Sequence, residues 1–202
     1  DLVSAYRKKG EFPNALRVAR DYLKKHPEEA RLDGMDDEIA ELESLASGGR
    51  ADVVALELAY RDAGKANTAE GRAEGVRLAR RYMEDWGKRA AAKTILLEIT
   101  AKAPRSPDSL SAQERTTFGL AWSLLGALAR EAGEGKSAAS AMLAAGTMYA
   151  AVDADRAAEA LYGAVDGFLQ TGLRADAERT AETIARNWPD SVWSRRAAHL
   201  LE

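Results

Sequence analysis

The sequence contains no cysteine, and this absence excludes two kinds of site at once. Without thiols the chain can form neither a disulfide framework nor a metal site built from thiolates. Histidine is nearly as scarce, with two residues in a chain of 202. His26 and His199 are far apart, and neither has a second histidine at the spacing of metal ligands. We therefore expect no histidine-based metal site and no catalytic histidine.

Long apolar runs and a strong net charge are missing as well. No apolar run approaches the roughly 18 residues that indicate a membrane span. The longest candidate, residues 120–129, is interrupted by Trp122, Ser123 and Gly126. The formal net charge is −3, whereas domains that bind nucleic acid through phosphate attraction are usually strongly basic. The sequence therefore predicts no direct membrane span and no nucleic-acid partner.

Signatures of catalysis are also absent. The chain has no nucleophile motif, no phosphate-binding glycine loop and no paired-carboxylate signature. Gly71 and Gly75 do not follow a strand, so they do not indicate a dinucleotide site. An acidic stretch from Asp33 to Glu43 begins a predicted helix, where carboxylates favour the helix dipole and remain solvated. We predict that the protein is not an enzyme and has no catalytic residue, no cofactor and no metal.

Strand signals are missing, and the patterns that remain are helical. No window alternates β-branched and polar residues between turns, and all five prolines stand where helices can begin or end. Apolar residues make up 46% of the chain, which is enough for a core. These features predict an all-α fold of about eleven antiparallel helices. Two of them are expected over residues 33–47 and 52–63, with Gly48 and Gly49 between them.

Three stretches predict a helix, a tight glycine turn and a second helix packed closely on the first. The clearest runs over residues 122–138, through Trp122, Leu125, Gly126, Ala129, Gly133 and Ala138. A second set recurs at a common displacement of 162 residues: Tyr6, Gly10, Ala15 and Pro27 correspond to Phe168, Gly172, Ala177 and Pro189. A looser copy spans residues 52–83 and has a longer turn. There Asn67 and Glu70 predict a capping box that restarts the helix.

This spacing resembles the tetratricopeptide repeat (TPR), a helical hairpin of about 34 residues. The resemblance implies one domain, residues 1–202, wound as a right-handed α-α superhelix, that is, a TPR-like solenoid. Its hairpins cover about 1–27, 50–87, 112–151 and 157–189, and a capping helix covers 190–202. The stretch from Ala185 to Leu201 is similar to the end of bacterial envelope TPR proteins. This similarity implies the envelope or periplasm rather than the cytoplasm.

The resemblance also implies a function, because such repeats build a binding surface without chemistry of their own. In this family the first helix of each hairpin lines a concave groove. The corresponding positions here are Val54, Leu58, Arg61, Ser123, Ala127, Arg130, Glu131, Glu159, Tyr162, Asp166, Leu169 and Gln170. Their mixed apolar and polar character suits an amphipathic helix or an extended segment with a few apolar anchors. Trp193, just past the last hairpin, is predicted to cap the groove or to dock another protein.

The leading hypothesis is a scaffold or adaptor that binds a protein or peptide partner in this groove, within a bacterial multiprotein assembly. One alternative is a sensory or regulatory module with a small ligand between its helices, which requires a closed pocket with convergent polar groups. Another is a structural subunit that assembles through exposed end helices. The sequence carries no signal for the oligomeric state. Because Asp1 opens directly into helix-like sequence, we expect the chain to be a fragment or mature product of a longer one.

Two substitutions test the predicted architecture. Trp122→Ala is expected to cost about 3–5 kcal/mol if the ring is buried between helices. Gly172→Val is expected to harm folding more than Gly71→Val. The reason is that Gly172 closes a tight hairpin whereas Gly71 follows an inserted loop.

Overall fold

The computed structural model describes residues 2–27, 30 and 35–202, without the side chains of residues 8, 36, 37, 40, 41, 43–52 and 86. Within these residues the regular elements are all helical, which confirms the predicted all-α class. The chain forms two compact units, Asp1–Glu57 and Leu58–Glu202. The described part contains ten α-helices: α1 (Leu2–Lys8), α2 (Phe12–Lys25), α3 (Met35–Asp62), α4 (Ala69–Met83), α5 (Arg89–Thr100), α6 (Ala112–Glu131), α7 (Gly135–Tyr149), α8 (Ala154–Gln170), α9 (Arg174–Asn187) and α10 (Val192–Leu201). Three short 3-10 helices occupy Lys65–Asn67, Trp86–Lys88 and Pro107–Ser109.

Helix α3 replaces two of the predicted helices. It runs without a break from Met35 to Asp62 and passes through Gly48 and Gly49. Each glycine lowers helix stability by about 1 kcal/mol relative to alanine, but neither removes a backbone donor as proline would. The prediction of separate helices over 33–47 and 52–63 is therefore wrong, although residues 33 and 34 lie outside the described part.

The first unit has its own small apolar core. Its buried residues are Val3, Ala15, Ala19, Ala30, Met35 and Leu42. Aromatic side chains of α1 and α2 (Tyr6, Phe12 and Tyr22) pack against it and remain partly exposed. The predicted small residue after the first turn, Ala15, is completely buried, so it lets α2 approach its neighbours closely.

Three hairpin turns share one backbone conformation. The φ angles of their glycines are 72°, 75° and 74° at Gly10, Gly133 and Gly172. This left-handed region suits glycine because a Cβ atom is disfavoured there. At the third turn, Leu173 N–H donates to the Phe168 carbonyl at 2.8 Å and Gly172 N–H to the Leu169 carbonyl at 3.0 Å. The other two turns have the same pair of bonds, the Schellman motif, and the predicted glycine turns are confirmed.

Helices α6 and α7 are antiparallel neighbours in close contact. A Cβ built on Gly119 would lie 2.7 Å from the Tyr149 ring, and one on Gly126 would lie 3.0 Å from Met142. Between these two contacts the residue number rises along α6, from 119 to 126, and falls along α7, from 149 to 142. The two helices therefore run in opposite directions. Because both contacts leave no room for a larger residue, glycine sets the distance between these helices.

Helices α7 and α8 repeat this arrangement. A Cβ on Gly146 would lie 2.6 Å from Leu161, and one on Gly167 would lie 3.0 Å from Ala139. The order of these contacts is again reversed between the two helices. It follows that α6 and α8 run in the same direction on either side of α7.

The hairpins α6–α7 and α8–α9 bury corresponding positions. Their turn glycines, Gly133 and Gly172, are 39 residues apart, and the alanines five positions later, Ala138 and Ala177, are both buried. The same displacement relates buried residues of the two first helices: Phe118, Ala121, Leu125 and Ala129 correspond to Ala157, Ala160, Ala164 and Phe168. The two hairpins are therefore built on one plan.

The connection into α4 follows a different plan. Thr68 caps α4, because its backbone is extended and its Oγ1 accepts the Gly71 N–H at 2.9 Å. The predicted capping box of Asn67 and Glu70 is wrong, since the chain first makes a 3-10 turn through Asn67. A Cβ on Gly71 would lie 1.8 Å from the Lys65 carbonyl oxygen, whereas one on Gly172 would meet no atom within 4 Å. The expected tolerance of Gly71 is therefore contradicted.

Polar contacts join the start of α4 to the start of α6. Ser111 and Glu114 form a capping box at the beginning of α6. Arg72 donates to the Glu114 carboxylate at 2.9 Å and to the Ala66 carbonyl at 3.3 Å. Its guanidinium also lies 5.2 Å from the centre of the Phe118 ring. One partly buried arginine thus ties together the connecting turn, α4 and α6.

Candidate functional site

A cavity of about 550 Å³ opens on the surface of the second unit. Most of its residues belong to α6 and α8, and α4, α7 and α10 supply the others. We call this cavity the groove. Its lining consists of Arg80, Leu120, Ser123, Leu124, Arg130, Met142, Tyr149, Arg156, Glu159, Ala160, Tyr162, Gly163, Asp166 and Trp193.

The groove faces of α6 and α8 follow from helical periodicity. On α6, Leu120, Ser123 and Leu124 recur at intervals of three and four residues, which places them on one face. Residues of the opposite face, such as Phe118 and Leu125, are buried. Because the opposite face packs in the core, the face with Ser123 remains available to line the groove.

Met142 of α7 lies between the two lining helices. Its side chain is 3.0 Å from the position that a Cβ would take on Gly126 of α6. The corresponding distance from Gly163 of α8 is 3.5 Å. A flexible thioether thus contacts both walls where small residues leave space, and methionine adapts well to irregular surfaces.

Aromatic side chains of α8 and α10 line another part of the groove. The rings of Tyr162 and Trp193 have their centroids 5.4 Å apart and are tilted by 38°. The Arg196 guanidinium lies 4.9 Å from the Trp193 ring centre. The indole Nε1 of Trp193 is buried and has no hydrogen-bond partner among the described residues. Trp193 is half-buried and forms part of the lining, while its role as a groove cap or as a docking residue stays a prediction.

Charges of both signs line the groove. Arg80 and Arg130 come from α4 and α6, and neither forms an ion pair within the part of the chain that the structure describes. Arg156 of α8 lies 3.3 Å from the Asp153 carboxylate. On α8, Glu159 is exposed, while Asp166 accepts a hydrogen bond from the Gln170 amide at 2.9 Å. The unpaired cations thus stand on α4 and α6, and the two lining carboxylates stand on α8.

The Tyr149 hydroxyl is the titratable group of the lining with a shifted pKa. Burial raises the pKa of Tyr149 above its usual value, while a hydrogen bond with Ser123 and the charge of Arg156 lower it in part. The hydroxyl therefore stays protonated at neutral pH. It serves as a neutral donor and acceptor and carries no charge.

Five of the twelve predicted positions line the groove: Ser123, Arg130, Glu159, Tyr162 and Asp166. Gln170 lies beside it, in a smaller cavity of about 70 Å³ that shares Arg130, Met142, Gly163 and Asp166 with the groove. The structure thus brings together three of the five predicted residues of α8 and two of the four on α6.

The remaining predicted positions lie elsewhere. Ala127 is half-buried on α6, and Glu131 forms an ion pair with Arg89. Leu169 packs against the core formed by residues of α7, α8, α9 and α10. Leu58 and Arg61 are exposed on α3 and do not line the groove. Val54 belongs to the first unit and is 51% exposed.

Several lining residues were missed because family positions cover only the first helix of each hairpin. Met142 and Tyr149 come from the second helix, α7, and Arg80 comes from α4. Leu120 and Leu124 carry a signal that was available, because they flank Ser123 on one helical face. Gly163 carries a second signal, a glycine inside a predicted helix.

Residues 2–27, 30 and 35–202 contain neither a metal-binding cluster of side chains nor a membrane-spanning helix. No group of three or more histidine, aspartate or glutamate side chains there is placed to hold a metal ion. None of the helices in that part has the length and apolarity needed to cross a bilayer. The predicted solvated acidic stretch starts at Asp33, outside the described residues.

Compared with known proteins, the chain matches no protein-family model, no curated protein and no solved structure. The function must therefore be argued from the geometry and chemistry of the groove.

Proposed function

We propose that the chain is a non-catalytic scaffold or adaptor that binds a segment of a partner protein in the groove. The observation that carries this proposal is the open cavity of about 550 Å³, lined by helix faces that the core does not use. Leucine, methionine and aromatic side chains alternate there with arginine, glutamate and aspartate. A groove of this kind suits a segment with a few apolar anchors and polar flanks.

We further propose that the helices of the second unit form a TPR-like right-handed superhelix. Three identical glycine turns, and two hairpins with one burial plan, support this architecture. The successive turns at Gly133 and Gly172 are 39 residues apart, compared with the 34 of a regular TPR. We therefore propose a TPR-like repeat that is longer than a regular TPR. Its placement in a bacterial envelope assembly stays a prediction from the sequence resemblance.

A small ligand is the second candidate for the groove. The volume lies within the roughly 300–1,000 Å³ typical of small-molecule sites. The open side of the groove and the charges spread along its walls favour a polymer segment over an enclosed small molecule. A thermal-shift screen of metabolites with the whole chain separates the two, because a small ligand raises the melting temperature without any partner.

Site-specific crosslinking tests the protein-binding function. A photo-crosslinking amino acid replaces Ser123 in the groove or, as a matched control, Ser140 on the exposed face of α7. After irradiation in an extract of the cells that make the protein, we expect a discrete adduct from position 123 and none from position 140. Equal labelling at both positions, or none at either, would contradict the proposal.

Self-assembly needs a separate measurement. If the groove binds a second copy, the crosslinked adduct has twice the mass of the chain. Light scattering across a range of concentrations then shows association of the purified protein. A constant monomer mass excludes the structural-subunit alternative.

A further inference from the structure

Gly163 is a helical glycine that the packing of the chain does not require. A Cβ there would meet Met142 at 3.5 Å, an ordinary contact, and its φ is not in the left-handed region. At Gly126, Gly146 and Gly167 a Cβ would come within 3.0 Å of a neighbour. Since glycine inside a helix costs about 1 kcal/mol relative to alanine, its presence at 163 calls for a different reason. Its effect is to leave the α8 backbone open to the groove.

Among the described residues, the arginines on the opposite wall have no carboxylate of their own. Arg80 follows Arg77 by one turn of α4, and Arg77 pairs with Glu74 at 2.6 Å. Arg80 has no such partner among the described residues. On α6, Glu131 follows Arg130 directly but pairs with Arg89 of α5. Two guanidinium groups thus line the groove with their hydrogen-bonding capacity unused by the described part of the chain.

The α8 wall carries two carboxylates, together with Arg156, which pairs with Asp153. Glu159 and Asp166 line it, and one oxygen of Asp166 is already occupied by the Gln170 amide. A carboxylate entering the groove is therefore attracted to Arg80 and Arg130 and repelled by Glu159 and Asp166. The lining also contains Leu120, Leu124 and Met142, which favour an apolar side chain.

We infer that the occupant is an amphipathic segment of another protein, with acidic residues beside an apolar anchor. Its carboxylates pair with Arg80 and Arg130, and its anchor contacts Met142 over the bare backbone at Gly163. Charge complementarity selects this occupant over a basic or neutral one. The inference rests on the proposed function, since it specifies the partner of the same groove.

A displayed library of random 16-residue peptides, selected on the full chain, provides the probe. We expect the enriched peptides to place aspartate or glutamate within one helical turn of a leucine, isoleucine, methionine or phenylalanine. Enriched peptides that are neutral or basic would overturn the inference and leave protein binding in place. If no peptide is enriched, or if Tyr162→Ala weakens the binding of none of the enriched peptides, both the inference and the proposed function are overturned.

The charge pairing is tested on one enriched peptide by fluorescence anisotropy. Arg80→Gln and Arg130→Gln are each expected to weaken binding roughly fivefold, as for ion pairs near a surface. Arg179→Gln is the matched control, because Arg179 is exposed on α9, outside the groove. Binding to the wild type should also weaken as salt is raised. Equal affinity for Arg130→Gln and Arg179→Gln would contradict the pairing.

Gly163→Ala tests the anchor independently of charge. The added methyl group should weaken peptide binding about tenfold by occupying the anchor's place. The same change should leave the melting temperature unchanged or raise it, since alanine favours the helix. Weaker binding with a lowered melting temperature would mean that the fold is damaged, and unchanged binding would mean that the anchor lies elsewhere. Either result overturns the assignment of Gly163.

Discussion

Two regions of the second unit reach their structure in different ways. The hairpins α6–α7 and α8–α9 repeat one turn and one burial plan, with small residues at the helix contacts. The entry to α4 uses a 3-10 turn, a threonine cap and the Arg72 contacts with Ala66 and Glu114. In the hairpins glycine supplies conformation at the turns, whereas Gly71 at the entry to α4 supplies space. Replacing glycine is therefore expected to destabilise the two regions for different reasons.

Replacing these two kinds of glycine should give the largest difference. Gly71→Val places a side chain against the Lys65 and Ala63 carbonyl oxygens, and we expect a loss of about 3 kcal/mol or more in the free energy of unfolding. Gly172→Val meets open space and should lose only about 2 kcal/mol, from the left-handed backbone. Urea unfolding followed by circular dichroism measures both. An equal or reversed order would mean that conformation outweighs space at both sites.

Trp122→Ala probes the apolar packing of the hairpin region. The ring packs against a cluster that includes Ala145, Tyr149 and Ala157, but it keeps partial exposure. We therefore expect a loss of about 3 kcal/mol, at the lower end of the range for buried aromatics. Trp122→Phe should lose less, because the indole Nε1 has no hydrogen-bond partner within the described residues. If both variants unfold at the same urea concentration, the volume of the ring at position 122 does not determine the stability.

Arg72→Met probes the polar contacts at the entry to α4. The change removes the Glu114 ion pair and the Ala66 hydrogen bond while keeping most of the side-chain volume. Because Arg72 is largely buried, we expect a loss of about 1.5 kcal/mol. Arg77→Met on the same helix removes an exposed pair and should cost less than about 0.5 kcal/mol. Chemical denaturation measures both variants, and equal losses in the free energy of unfolding would refute this contrast.

The smallest effect concerns pH. Hydrogen bonds from Ser111, with help from the charge of Arg72, lower the pKa of Glu114 below its usual 4.5. A lowered folded pKa adds stability above pH 4.5, and this stability is lost as the pH falls through the folded value. The difference in unfolding free energy between wild type and Glu114→Gln should therefore shrink from pH 7 to pH 3. A difference that stays constant would show that the carboxylate charge does not contribute.

The parts that could be predicted are those with short-range causes. The turns at Gly133 and Gly172, the Ser111 cap and the helix Val192–Leu201 depend on residues a few positions apart. The continuity of α3 was missed because two glycines weaken a helix without breaking it. At the entry to α4 the cap was misplaced by one residue, since the preceding 3-10 turn sets which side chain reaches the Gly71 N–H.

The candidate groove was predicted only in part. Ser123, Glu159 and Tyr162 were found through the family resemblance, whose groove positions fall on the first helix of each hairpin, here α6 and α8. Arg80 and Met142 could not be found in this way, because their place in the lining depends on how α4 and α7 pack. Leu169 was misassigned for the same reason, since it packs against a core that four helices, α7 to α10, build together.

By itself the sequence determined the all-α class, the glycine turns and the spare faces of α6 and α8, because each depends on local periodicity or on the backbone freedom of single residues. The tertiary structure alone decided that Gly71 and not Gly172 is enclosed, and that Arg80, Met142 and Gly163 share one cavity. These outcomes depend on the distances between helices far apart in the chain. Such distances are set by the packing of many side chains at once, which no short stretch of sequence specifies.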